Sequence, residues 1–159
     1  MAHGEIELLL RILEEAYSKK SWHGTNLRGS LRGLTAEEAS WRPAPGRHNI
    51  WELMLHTAYW KYTVRRRILE EGRGSFPLKG SNFWDRPGPP GTSAFSDELK
   101  ILADEHRKLT TAVASMTPAM LRETPPGSTN DFATLIYGVA AHDLYHAGQI
   151  QLIKRLQKA

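Results

Sequence analysis

The apolar residues of this chain recur at helical spacing almost everywhere, and no stretch of strand length alternates apolar with polar. That periodicity confines the fold to the all-α class. Ile6, Leu9, Leu10, Leu13 and Tyr17 form one stripe and predict a first helix ending near Lys19 and Lys20. Leu27, Leu31 and Leu34 predict a continuation or a second piece, weakened by Gly24, Gly29 and Gly33. Thr35-Ala36-Glu37-Glu38 reads as a capping box, and Pro43, Pro45 and Gly46 close that section. Asn49 is placed to cap a second long helix, with Glu52 positioned to return the bond, and the helix should run to about Glu71 and stop at Gly72. Phe95, Leu99, Leu102, His106, Leu109, Val113 and Met116 predict a third, ended by Thr117-Pro118. A linker from Pro125 to Asn130 leads into a fourth, from about Asp131 to Gln157. Four long helices with a short extra one make a four-helix bundle, with a long Gly- and Pro-rich loop over 73–93 between the second and third. No repeat or composition shift divides the chain, so residues 1–159 read as a single domain.

Composition narrows the chemistry. A chain of 159 residues that is 40% hydrophobic can bury a real core. It has no cysteine, which excludes disulfides, thiolate ligands and a cysteine nucleophile; a metal would have to be held by His, Asp, Glu or carbonyl oxygen. The longest apolar-leaning stretch, Phe132 to Ala141, is half of the roughly 20 residues a membrane span needs. The start turns acidic at Glu5, with no basic-then-apolar leader, and predicts a cytoplasmic protein. The net charge of +4 would suit a nucleic-acid partner. The cations, however, are scattered or sit at helix ends (Arg65, Arg66, Arg67, Lys154, Arg155, Lys158), where they complement the macrodipole. No helix carries the Arg/Asn/Gln-rich face of base readout, so neither nucleic acid nor membrane is expected as a partner.

Histidines on the inward stripes carry the functional signal. His56 lies one turn from both Leu53 and Trp60, and Leu135, His142, His146 and Ile153 share a face of the last helix. His142 and His146 stack one turn apart, with Cβ atoms about 5–6 Å from each other. Two imidazoles so placed can converge on one ion at about 2.0–2.1 Å each, and a third from a facing helix completes a three-ligand set. Burying such rings without partners costs about 1–3 kcal/mol each, yet hydrogen-bonded core histidines remain the competing reading of these residues. His106, on the third stripe, reads as a core neighbour or a fourth ligand. His23 and His48 flank turns and read as pocket-mouth or capping residues, with proton transfer as the alternative, and His3 as merely exposed. Glu52, one turn before His56, is a capping residue or a general-base carboxylate. Asp143 points away from His142 and suits a salt bridge or subunit contact. Tyr59, Trp60 and Tyr145 read as core or pocket wall, Tyr145 also as a proton donor, and Gly138 and Gly148 suggest close helix approach.

Two segments carry a family resemblance: Pro45-Gly46-Arg47-His48-Asn49-Ile50-Trp51-Glu52-Leu53-Met54-Leu55-His56, and Ala141-His142-Asp143-Leu144-Tyr145-His146-Ala147-Gly148-Gln149-Ile150. With the early Trp22-His23-Gly24 and the final run into Lys154-Arg155, the chain resembles the DinB-like (DinB/YfiT-like) superfamily of metalloenzymes. The resemblance implies a four-helix bundle, usually a homodimer, with a divalent metal on three histidines, which by position are His56, His142 and His146. Zinc and nickel suit such a site best, and manganese is compatible. Three neutral imidazoles leave a +2 charge that lowers the pKa of bound water from about 15.7 toward about 7, or ionises a bound thiol. The resemblance accordingly implies either a metal-dependent hydrolase or a transferase using a low-molecular-weight thiol such as bacillithiol or mycothiol, which this cysteine-free chain would take from outside. The expectation is an enzyme acting on a small-molecule substrate, with Glu52 and Tyr145 as candidate catalytic side chains. The alternative is a non-catalytic, stress-associated metal-binding dimer.

Overall fold

The computed structural model describes residues 4–87 and 92–159, and these form six α-helices and no strand. They are α1 (Gly4–Tyr17), α2 (Leu27–Leu31), α3 (Ala36–Ser40), α4 (Ile50–Ile68), α5 (Thr92–Ala114) and α6 (Phe132–Leu156), with a 3₁₀ turn at Met120–Arg122. α4 packs on α5 and α6, and α1 packs on α6 and α5, so the four long helices close into a ring. This is the bundle the periodicity predicts. The short α2 lies against α6 and α1, and α3 against α4 and α5. No helix is long and apolar enough to cross a membrane.

Local signals explain most of the boundaries. The Thr35 hydroxyl accepts from the Glu38 N–H at 3.1 Å while the Glu38 carboxylate accepts from the Thr35 N–H at 2.8 Å, a complete capping box for α3. Asn49 caps α4 by accepting from the Glu52 N–H at 2.9 Å, and its amide donates to the carbonyls of Ser40 (3.1 Å) and Arg86 (2.8 Å). Glu52 does not return the bond, as a capping box would require, because its carboxylate is held by Arg42, His48 and the Arg86 N–H instead. α4 stops at Ile68 rather than near Glu71. Glu70 adopts φ 54°, and the N–H groups of Glu70 and Glu71 donate to the carbonyls of Arg67 (3.3 Å) and Arg66 (2.7 Å). That is a Schellman stop with glutamate at the position glycine prefers. α1 ends at Tyr17, before the lysines, and α5 at Ala114, although Met116 beyond it is still buried. α6 begins beside its cap Asp131, which accepts from the Thr134 N–H at 2.8 Å.

The interior has two apolar regions with a polar layer between them. One gathers Ile50, Trp51, Met54, Leu55, Leu102 and Ile150. The other gathers Leu13, Ile68, Leu109, Val113, Ile136 and Ala140. Between them Lys61 donates to Asp143, both side chains 0% exposed, and Arg65 Nε donates to Glu105 at 3.1 Å. Asp143 thus makes the salt bridge expected of it, and burial raises its carboxyl pKa despite the Lys61 ammonium. Within the chain no helix approaches closely at Gly138 or Gly148: among the described residues nothing lies within 4 Å of where a Cβ would stand on either.

The loop after α4 is stitched down rather than slack. Phe76 is buried, and Phe83 and Trp84 pack on the first apolar region. The Gly74 N–H donates to the Tyr62 hydroxyl at 3.0 Å, Arg42 reaches Asp85 at 2.7 Å, and Arg86 Nε donates to Glu98 at 3.1 Å. These ties hold the loop over one end of α4, where the histidines lie.

Candidate metal centre

His56 on α4 meets His142 and His146 on α6. The Nε2 atoms of His56 and His142 are 3.0 Å apart, as are those of His146 and His142, and the ligand atoms of all three lie within 4.8 Å of one another. Two imidazoles bound to one ion at about 2.0–2.1 Å each hold their nitrogens about 3–4 Å apart, a spacing close to that of the two 3.0 Å pairs.

The outer ring nitrogens decide what faces inward. His56 Nδ1 lies 2.9 Å from the Asn82 carbonyl, which can only accept, so Nδ1 carries the proton and Nε2 keeps its lone pair. His146 Nδ1 lies 2.6 Å from Gln149 Oε1 and is fixed the same way. Both lone pairs therefore point at His142 Nε2. One N–H on His142 can serve one of them but not both, whereas a cation serves all three rings. His142 Nδ1 is buried without a partner among the described residues.

Electrostatics keep the rings in the ligand form. Burial pushes the pKa of His56 down to about 4 and of His142 to about 3, and lowers that of His146. The neutral imidazole is the species that binds a metal. Phe83 closes one side, stacked between His48 (3.9 Å between ring centroids) and His56 (4.0 Å), while Trp60 stands edge-on to His56 and His142. The exposed His48 ring and the buried His56 ring are thus separated by one aromatic side chain from the loop.

The remaining candidates fall outside the triad. Glu52 is buried behind it; burial would raise its pKa, but hydrogen bonds from Arg42, the Arg86 N–H and His48 outweigh this and bring it to about 2. Tyr145 is 65% exposed, its ring 5.1 Å from that of His146, and its hydroxyl makes no hydrogen bond among the described residues. His106 is turned elsewhere: it is 4% exposed, stacks on Tyr17 and contacts Glu14 at 3.2 Å. His23 is exposed beside Ser21, and His48 binds Glu52 at 2.9 Å. His3 lies outside the described residues. Asn82, Phe83 and Gln149 were not singled out from the sequence. Gln149 is three residues after His146 on one helix and could have been found by that spacing; Asn82 and Phe83 come from a loop without periodicity.

A cavity of about 490 Å³ opens beside the triad between α4 and α6, lined by His56 and His142 with Trp60, Val64 and Leu135. A larger one, about 840 Å³, lies between α1, α2 and α5 beside His106 and does not reach the triad. The smaller is the one next to the chemistry.

Neither the curated proteins nor the solved structures include a significant match to this chain. The sequence model of the DinB superfamily matches residues 21–150, a span holding all three imidazoles, their partner Asn82 and the capping segment of α4. The chain belongs to the DinB superfamily.

Proposed function

We propose that this protein is a metal-dependent enzyme acting on a small molecule, with a divalent cation held by His56, His142 and His146. The observation that carries this reading is the pair of Nε2 lone pairs aimed at a third ring nitrogen that can satisfy only one of them. Bound there, such a cation would supply the charge that acidifies a water or a thiol at neutral pH. Zinc or nickel is our first assignment, with manganese next.

The chain's own residues do the rest. The Asn82 carbonyl and Gln149 orient two rings, while Phe83 and Trp60 keep water from them. The 490 Å³ cavity receives the substrate. Glu52 suits the part of general base poorly, since its oxygens are already occupied and its pKa near 2 leaves it little affinity for a proton. We assign it instead to holding Arg42, His48 and the loop in place. Tyr145 stands beside His146 on the solvent side and would donate a proton only to a substrate reaching out of the cavity.

The reaction is a transfer to or from a low-molecular-weight thiol, or a hydrolysis. Protein loaded with zinc, nickel or manganese, screened against electrophiles with and without added thiol and against hydrolysable esters and amides, separates the two. Turnover should require metal and vanish in His146→Ala. No turnover under any loading would favour a non-catalytic, stress-associated metal-binding dimer. That reading draws support from the exposed apolar stripe of Tyr137, Tyr145, Leu152 and Leu156 on α6.

A further inference from the structure

The cavity beside the triad has a second end. On α4 the residues His56, Trp60, Val64 and Arg67 all line it, at spacings of four, four and three that keep them on one helical face. Arg67 is eleven residues beyond His56, about three turns and about 16 Å along the axis. On α6 the lining recedes in the opposite sequence direction, from His142 to Leu135, so the cavity runs as a trough between antiparallel helices.

Arg67 differs from its neighbours. Arg65 is tied to Glu105 and Glu71. Arg67 is half-buried, yet among the described residues its guanidinium makes no ion pair and no side-chain hydrogen bond. It is the one Asp, Glu, Lys or Arg lining the cavity among the described residues, and Asp131, next in sequence to the lining residue Asn130, is committed to capping α6. Burial and the proximity of Arg66 and Arg73 lower its pKa, which reflects a cation short of counter-charge. The walls are mainly apolar, with Trp60, Val64, Leu135 and Val139 alongside the uncharged polar Asn82, Asn130 and Thr134. An unpaired guanidinium at the edge of a mainly apolar trough fits a carboxylate, which its planar fork binds bidentately.

We propose that Arg67 is the anion anchor of this cavity, and that the site takes elongated, mainly apolar small molecules with a metal-binding group at one end and a carboxylate at the other. The inference rests on the three-histidine metal reading and names the substrate class of that same site. Both side chains lean toward the N-terminus of α4, and the longer arginine reaches further back than the histidine, so the ligand spans less than the axial separation.

The test uses the full chain loaded with cobalt, whose charge-transfer bands report a thiolate joining the ion. Cobalt uptake is measured first. The loaded protein is then titrated with ω-mercaptohexanoate and with its neutral counterpart ω-mercaptohexanol. The acid should bind about tenfold tighter or better, as a charge-assisted bond to Arg67 requires. Arg67→Gln should abolish that preference while leaving cobalt uptake and the affinity for the alcohol unchanged, and Arg67→Lys should retain part of it. Equal affinities in the wild type, a preference that survives Arg67→Gln, or no thiolate band from either probe despite cobalt uptake would each overturn the inference and leave the metal reading standing. Failure to take up cobalt would overturn the metal reading and this inference with it.

Discussion

Lys61→Met is the perturbation whose cost the interior fixes most tightly. Lys61 and Asp143 are both 0% exposed, and one Asp143 oxygen already lacks a partner. Removing the ammonium leaves a carboxylate in the bundle interior with neither counter-charge nor donor, a loss of about 3–5 kcal/mol. Set against a total stability of about 5–15 kcal/mol, that is about a fifth or more of what holds the domain together. At about 2–4 °C per kcal/mol for a chain of this length, Tm should fall by roughly 6–20 °C. Urea unfolding at constant m measures it. The sign of the pH dependence is diagnostic. Burial raises the Asp143 pKa in the folded state, more so without Lys61, so the native state binds more protons than the unfolded one and the deficit shrinks as pH falls from about 8 to about 5. The double variant Lys61→Met with Asp143→Leu removes both charges and should recover most of the loss. A Lys61→Met cost below about 1 kcal/mol, or a double variant no better than the single, would refute the buried-pair reasoning.

Other perturbations follow from the same structure. Glu70→Gly relieves the left-handed backbone at the end of α4 (φ 54°) and should stabilise by about 1 kcal/mol in urea unfolding. Asn49→Ala removes the α4 cap and both donors to the Ser40 and Arg86 carbonyls, a loss of about 2–3 kcal/mol, of which Asn49→Ser should restore the capping share of about 1 kcal/mol. Metal-free protein should lose stability as pH falls below about 6.5, because His106, His56 and His142 have folded pKa values of about 3, 4 and 3, so the unfolded state binds protons first. Each histidine contributes a slope of up to about 1.4 kcal/mol per pH unit, so urea midpoints of His106→Gln should fall less steeply with acid than those of the wild type. Parallel acid limbs would contradict that assignment.

Those charges mark where the sequence was legible and where it was not. The helices were readable because each long one buries a face against the others, and the three-histidine cluster because His142 and His146 share a face of one helix while His56 sits on an inward stripe of another. The ends were less readable. The stop of α4 depends on Glu70 adopting a conformation typical of glycine, which no composition rule favours. Glu52 was misjudged as the return half of a capping box because local spacing cannot weigh the competing pull of Arg42, ten positions away, and of a loop N–H much further on. Asn82 and Phe83 were invisible for the same reason: their role is set by how a loop folds back on α4. The Lys61–Asp143 pair joins residues 82 positions apart, so only half of it could be inferred.

The central claim is that three imidazoles share one cation. X-ray absorption of the metal-loaded protein, with metal content determined on the same sample, tests it most directly. One ion per chain surrounded by three imidazole nitrogens at about 2.0–2.1 Å, unchanged in His106→Ala and lost in His142→Ala, is the result this structure predicts. A metal shell without imidazole, or a three-imidazole shell that survives His142→Ala, would contradict it.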